Sequence, residues 1–110
     1  MTLEELAAAI RQFAVQRDWE QFHSPKNLAM AVAGEAGELV AELQWLNAEE
    51  PLDQGKQQAV TNEMADVLIY LCRMADVLGV NLIEAAQRKL ADDARRYAAD
   101  AVRGSADKQP

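Results

Sequence analysis

A single cysteine, three prolines and five glycines among 110 residues leave this chain with little covalent or conformational punctuation. Cys72 alone excludes a disulfide framework and a thiolate zinc site, and a chain of this kind suits a reducing compartment. Alternating β-branched runs and hairpin dipeptides are missing, which excludes a sheet. No apolar run approaches the roughly 18 residues that cross a bilayer. The amino-terminal Met1-Thr2-Leu3-Glu4-Glu5 also lacks the basic region of a secretory signal, so no membrane partner and a cytoplasmic setting are expected. Positive charge is scarce as well: 11 Lys and Arg against 18 Asp and Glu give a net charge of −7. Binding to a nucleic-acid polymer through its backbone is therefore excluded, because counterion release needs clustered cations on the protein. A polyanionic ligand would need a metal ion as intermediary.

What the chain does have is helical periodicity. Thr2 with Glu5 forms a capping box, and Leu3, Leu6, Ile10, Phe13 and Ala14 recur at helical spacing, predicting a first helix over about Leu3–Arg17. Residues 18–23 carry no period and read as a connector. Ser24-Pro25 then supplies an N-cap with proline at the first helical position, opening a second helix that runs to about Asn47. Pro51 and Gly55 mark a polar loop, and a third helix is expected over about Lys56–Leu78, with Gly79 as its C-terminal cap. Asn81 and Glu84 form another capping box, for a fourth helix through about Tyr97. The expected architecture is an all-α four-helix bundle in one domain over residues 1–100, followed by a disordered tail at 101–110. Val67, Leu68, Ile69, Leu71, Met74, Ala75 and Val77 cannot share one stripe of the third helix. Two of its sides must be covered, which predicts completion of the bundle by homo-oligomerisation, as a dimer or tetramer.

Into the two most apolar helices fall two acidic couplets, Glu35/Glu38 in Gly34-Glu35-Ala36-Gly37-Glu38 and Glu63/Asp66 in Glu63-Met64-Ala65-Asp66. Ionised carboxylates on a buried helix face carry a large desolvation cost, offset by a cation, an ion-pair partner or a raised pKa. Residues three apart share a helix face, so each couplet can present two carboxylates to one ion. Hard oxygen donors of this kind suit magnesium, which commonly shares its coordination with substrate phosphates. The plain alternative is solvated surface, since glutamates at this spacing are frequent in helices. Two couplets within apolar segments weigh against it. Gly34 and Gly37 add a helix-propensity cost of roughly 1 kcal/mol each, which suits close approach of a ligand or a neighbouring helix.

The runs Arg17-Asp18-Trp19-Glu20-Gln21-Phe22-His23, Pro25-Lys26-Asn27-Leu28, Gly34 to Glu38, Gln44-Trp45 and Glu63 to Tyr70, taken together, resemble the all-α nucleoside triphosphate pyrophosphohydrolases. This is the MazG-like superfamily, and the dCTP pyrophosphatase branch is the most similar part of it; the resemblance covers about residues 3–97. It implies magnesium-dependent hydrolysis of a (deoxy)nucleoside triphosphate to monophosphate and pyrophosphate, in a helical dimer or tetramer, as a cleaner of the nucleotide pool. Carried over by residue, Glu35, Glu38, Glu63 and Asp66 match the metal-binding acids, and Glu38 is the one favoured to orient or deprotonate the attacking water. Trp19, His23 and Trp45 match positions around base and sugar, Tyr70 follows the second couplet, and Lys89, Arg96 and Tyr97 match the segment that meets the triphosphate. Asp93 stands where many members have Asn, so base preference is not inherited with the fold; dCTP or a related dNTP is favoured.

Each of these residues also has a plainer reading. A tryptophan packs in a core more often than it stacks on a base. His23 reads as a capping or surface histidine, and a metal role is not expected of it: the one Glu-x-x-His run, Glu20 to His23, lies in the connector, whereas a di-iron carboxylate site takes such a run from each of two helices. Tyr70 suits a half-buried core position equally well. Lys89, Arg95 and Arg96 suit the negative end of a helix dipole. Cys72 is expected to pack inertly, and Glu42 and Asp92 to be solvated. Two rival functions follow: a non-catalytic helical dimer acting as a regulatory or scaffold module, and an acidic metal-buffering bundle.

Overall fold

The computed structural model covers residues 1–110, and it is entirely helical. Helix α1 spans Leu3–Gln16, a 3-10 turn follows at Glu20–Phe22, α2 spans Pro25–Leu43, α3 Gln54–Leu78, α4 Leu82–Arg96 and α5 Ala99–Val102. The chain divides into two compact units, Met1–Gly79 and Val80–Pro110.

The caps explain where the elements begin. Thr2 Oγ1 accepts from the Glu5 amide, the Ser24 hydroxyl from Asn27, the Asp53 carboxylate from Lys56 and the Asn81 side chain from Glu84. Each satisfies an amide that the first helical turn leaves without a partner. Asp53 is the cap the sequence reading passed over, so α3 starts at Gln54, two residues before the expected Lys56. At the other end α2 stops at Leu43, short of the expected Asn47: Gln44 still bonds to Val40, but Leu46 already bonds to Leu43, a tighter turn that ends the helix. Gly79 closes α3 in the left-handed conformation, φ 68°. The connector acquires a short turn of its own. Asp18, with φ 54°, takes up that conformation without being glycine, and its carbonyl and carboxylate both accept from the side-chain amide of Gln21.

Within the first unit α2 and α3 form a long hairpin, and α1 packs on α3. The pairing is antiparallel, as its register shows: Lys56 is bonded to Glu42 at 3.1 Å, and seven residues forward along α3 and seven back along α2 bring Glu63 beside Glu35. Glu42 is thus an ion-pair partner where a solvated charge was expected. The core is small. Ala14, Leu28 and Cys72 are each 1% exposed, and they are the buried apolar residues, while Met30, Val40, Met64 and Leu68 remain exposed. Cys72 packs as expected. A Cβ added at Gly34 or Gly37 would meet no atom within 4 Å, so nothing in the chain presses on α2 at these two glycines.

In the second unit, α4 ends at Arg96 with Arg95 and Arg96 in its last turn. Helix α5 is an element absent from the sequence reading.

Candidate metal and nucleotide site

The helix period places Glu35 on α2, and Glu63 and Asp66 one turn apart on α3. The antiparallel register then brings the three together: one carboxylate oxygen from each lies within 4.8 Å of the others, and all three residues are half-buried. Glu38, exposed one turn along α2, stands outside this trio but interacts with both Glu35 and Glu63.

No cationic side chain offsets the charges of these carboxyls. Loss of solvation, then contact with Glu38, then the charges of Asp66 and Glu63 push the Glu35 carboxyl up to about 7. Glu63 is raised by the same causes, desolvation first and Glu38 next, with its proximity to Glu35 acting in the opposite sense. One oxygen of Glu35 and one of Glu63, both Oε2, are buried with no hydrogen-bond partner. Orphaned buried acceptors are costly and rare in native proteins. A divalent cation would resolve this arrangement: hard carboxylate oxygens gather from two facing helices, and two of them are already removed from water. The donor set fits magnesium.

The remaining sequence candidates fall into three groups. Trp19, half-exposed, meets Phe13 edge-on at 5.7 Å, and the Arg17 guanidinium lies 3.6 Å from the centre of that same Phe13 ring. Trp45, in the turn after α2, is 87% exposed. Beside it, the turn and loop after α2 line an open cavity of about 380 Å³ with Leu43, Leu46, Asn47, Ala48, Glu50 and Leu52, and none of the four acids borders it. Tyr70 is half-buried one turn after Asp66.

Lys89, Arg96 and Tyr97 lie together in the second unit, tied by Asp93. Lys89 Nζ reaches an Asp93 oxygen at 2.6 Å and an Arg96 nitrogen stands 3.8 Å from the same oxygen. The Arg96 guanidinium also sits over the Tyr97 ring at 5.4 Å and donates to the Gln109 carbonyl. Asp92, expected to be solvated, pairs with Arg95.

His23 differs most from its plain reading as a capping residue. Its Nδ1 accepts a 2.9 Å bond from Nε of Arg73, a buried residue that the sequence reading did not single out. Arg73 in turn bonds to Asp76 at 2.9 Å and lies 3.6 Å from Glu20, while Arg11 of α1 grips Asp76 through both oxygens at 2.7 and 2.8 Å. The available signal was a cation inside the apolar run of α3 with an acid three residues later, the same logic that singled out the couplets.

Residues 31–108 match the family model described as the MazG-like family. Curated relatives include dCTP pyrophosphatase 1 of Bos taurus, 42% identical over 109 residues that make up 96% of this chain and 64% of that protein. The Homo sapiens protein of the same name is 42% identical over 111 residues, 97% of this chain and 65% of that one. The chain therefore spans just under two thirds of the length of these relatives. Among solved structures, a pyrophosphatase from Archaeoglobus fulgidus DSM 4304 superposes with a TM-score of 0.77 at 38% identity, covering 86% of this chain and 90% of that one. The iMazG protein of Vibrio DAT 722 superposes at 0.58 with 26% identity, covering 88% and 98%. The match takes in the helices that carry the acidic trio and the paired cations of α4, and the chain belongs to the MazG-like family.

Proposed function

We propose that this protein is a magnesium-dependent nucleotide pyrophosphatase that cleaves (deoxy)nucleoside triphosphates between the α- and β-phosphates, with dCTP or a related dNTP as substrate, and serves as a housekeeper of the cytoplasmic nucleotide pool. The observation that carries this reading is the pair of buried, unpartnered oxygens on Glu35 and Glu63 beside Asp66. The family membership and the names of the relatives supply the reaction class.

Glu35, Glu63 and Asp66, with Glu38 beside them, hold the metal. Magnesium, when bound there, supplies charge to the phosphate oxygens and acidifies water. The chain's own residues do the rest. Glu38 is the most exposed of the four acids, and its carboxylate orients the attacking water and accepts its proton. Lys89, Arg96 and Tyr97 receive the triphosphate; the phosphate oxygens replace Asp93 as partner of the two cations, and Asp93 tempers their charge in the absence of substrate. Trp19 and Trp45 offer half-exposed and exposed aromatic faces for stacking the base, while His23 and Tyr70 supply polar contacts to base and sugar. Residues 1–100 form the functional domain, and the exposed Met30, Val40, Met64 and Leu68 support a homodimer or homotetramer.

The test is product analysis. A panel of dNTPs and NTPs incubated with magnesium is expected to yield monophosphate and pyrophosphate; diphosphate and phosphate as products would exclude attack at the α-phosphorus. Metal binding without any turnover would instead favour the metal-buffering bundle.

A further inference from the structure

Glu63, Asp66, Tyr70 and Arg73 follow one another on α3 at spacings of three, four and three, which is one face of the helix, and every one of them is half-buried or buried. Arg73 lies two turns beyond Asp66, about 10 Å along the axis. A guanidinium that is 5% exposed is costly to desolvate, and each of the three nitrogens of this one faces a partner. Its NH1 goes to Asp76, itself clamped by Arg11 from α1; its NH2 faces Glu20; its Nε donates to His23 Nδ1.

The last contact fixes chemistry. A ring nitrogen that accepts a hydrogen bond from a permanent cation donor carries no proton, so the imidazole is neutral with its hydrogen on Nε2. Burial first, and the Arg73 charge second, hold the imidazole below its ordinary pKa, with Glu20 opposing. Arg73, Glu20, Asp76 and Arg11 are the charged groups of this network on the connector, α3 and α1. Nε2–H makes no hydrogen bond within the protein, and the segment that presents it is otherwise tied down by the Asn27 side chain, which donates to the Phe22 carbonyl. Arg73 therefore does more than fill the core: it orients a ring at the entrance of α2 and dictates which of its nitrogens can donate.

We propose that Arg73 is a positioning residue for nucleotide recognition, holding His23 as the Nε2–H tautomer so that it offers one fixed hydrogen-bond donor to an acceptor atom on the base or sugar of the substrate. The proposal rests on the functional reading above for its ligand, and on the network alone for its tautomer.

His23 is the only histidine among the 110 residues, so its imidazole nitrogens can be read without assignment in the intact chain. Nitrogen-15 NMR of the protein without nucleotide is expected to show the Nε2–H form above pH 7, and R73M to show a tautomer mixture with a higher titration midpoint. In kinetics, R73M and H23Q are each expected to raise KM by roughly three- to tenfold, the scale of one hydrogen bond, with kcat little changed and with non-additive effects in the double variant. R73K, which restores a cationic donor, is expected to recover part of the KM. An Nδ1–H tautomer in the wild-type spectrum overturns the proposal even if R73M does not fold. So does a tautomer shift in R73M with unchanged KM. A wild-type protein that releases no pyrophosphate from any triphosphate would sink the functional reading instead, and the nucleotide-free spectrum would still decide the tautomer.

Discussion

Helix α3 carries two ionic clusters, and they are built on opposite principles. Toward its N-terminal half, Glu63 and Asp66 face Glu35 with no cation among them, and two oxygens lack any partner. Toward its C-terminal end, Arg73 and Asp76 are bonded to each other and to Arg11, His23 and Glu20. The same helix thus holds one set of charges in mutual repulsion and another in mutual satisfaction. Folding energetics account for the second set. The first destabilises the isolated chain wherever its carboxyls are ionised, and a ligand that binds the folded form would offset that repulsion through linkage.

The comparison can be broken most forcefully through the unpaired cluster. Glu35→Ala or Asp66→Ala is expected to lower the rate of pyrophosphate release by on the order of 10²–10³-fold, as for loss of one preorganised electrostatic group, with the helical circular dichroism spectrum unchanged. Full activity in either variant would remove the metal assignment. Next in size is the paired cluster: Asp76→Ala strands two guanidiniums, one of them buried, and should cost about 3 kcal/mol in denaturant unfolding, the low end for breaking a buried pair. A loss well under 1 kcal/mol would show that the network is not the anchor described here.

A smaller effect of opposite sign sharpens the contrast. Glu63→Gln relieves repulsion in the trio, so the metal-free variant should melt at a higher temperature than the metal-free wild type, while its magnesium-dependent gain in melting temperature shrinks. A lower melting temperature would mean that the acids already have a partner.

The smallest expected effect is in the pH dependence. Glu35, with its carboxyl raised to about 7, contributes stability that is complete below the ordinary glutamate pKa and is lost as pH rises through about 7. Asp76 behaves in reverse: its hydrogen bond from Arg11 holds it below the usual carboxylate range, so its contribution is complete at neutral pH and is lost as pH falls through that depressed pKa. Melting curves in EDTA should therefore decline on raising the pH from about 6 to 8, and magnesium should flatten that decline, since it binds the deprotonated carboxylates. Identical slopes with and without magnesium would contradict this.

Much of the fold was legible because it rests on local rules. Thr2, Ser24-Pro25 and Asn81 cap the helices they were expected to cap, and the expected ends of α1 and α4 fall within one residue of Gln16 and Arg96. The couplets were legible for the same reason, since the helix period alone puts Glu63 and Asp66 on one face. Less legible were the end of α2, decided by a tighter turn at Leu43–Leu46, and the start of α3, where Asp53 caps from within a polar loop. Arg73 was missed because its meaning lies in partners up to 62 positions away along the chain, a separation that no periodicity encodes, Arg11 acting on it through Asp76 from α1.

By itself the sequence determined the helices, their caps and the four acids with their spacing, because backbone hydrogen bonding and side-chain period act over only a few residues. Tertiary structure alone decided that Glu35 meets Glu63 and Asp66 with oxygens left bare, and that Arg73 turns His23 into a donor at Nε2. Those outcomes depend on the antiparallel register of α2 against α3 and on where the Trp19–His23 connector returns to the bundle. Both are fixed by packing and desolvation across the whole unit, and neither is fixed by any local run of residues.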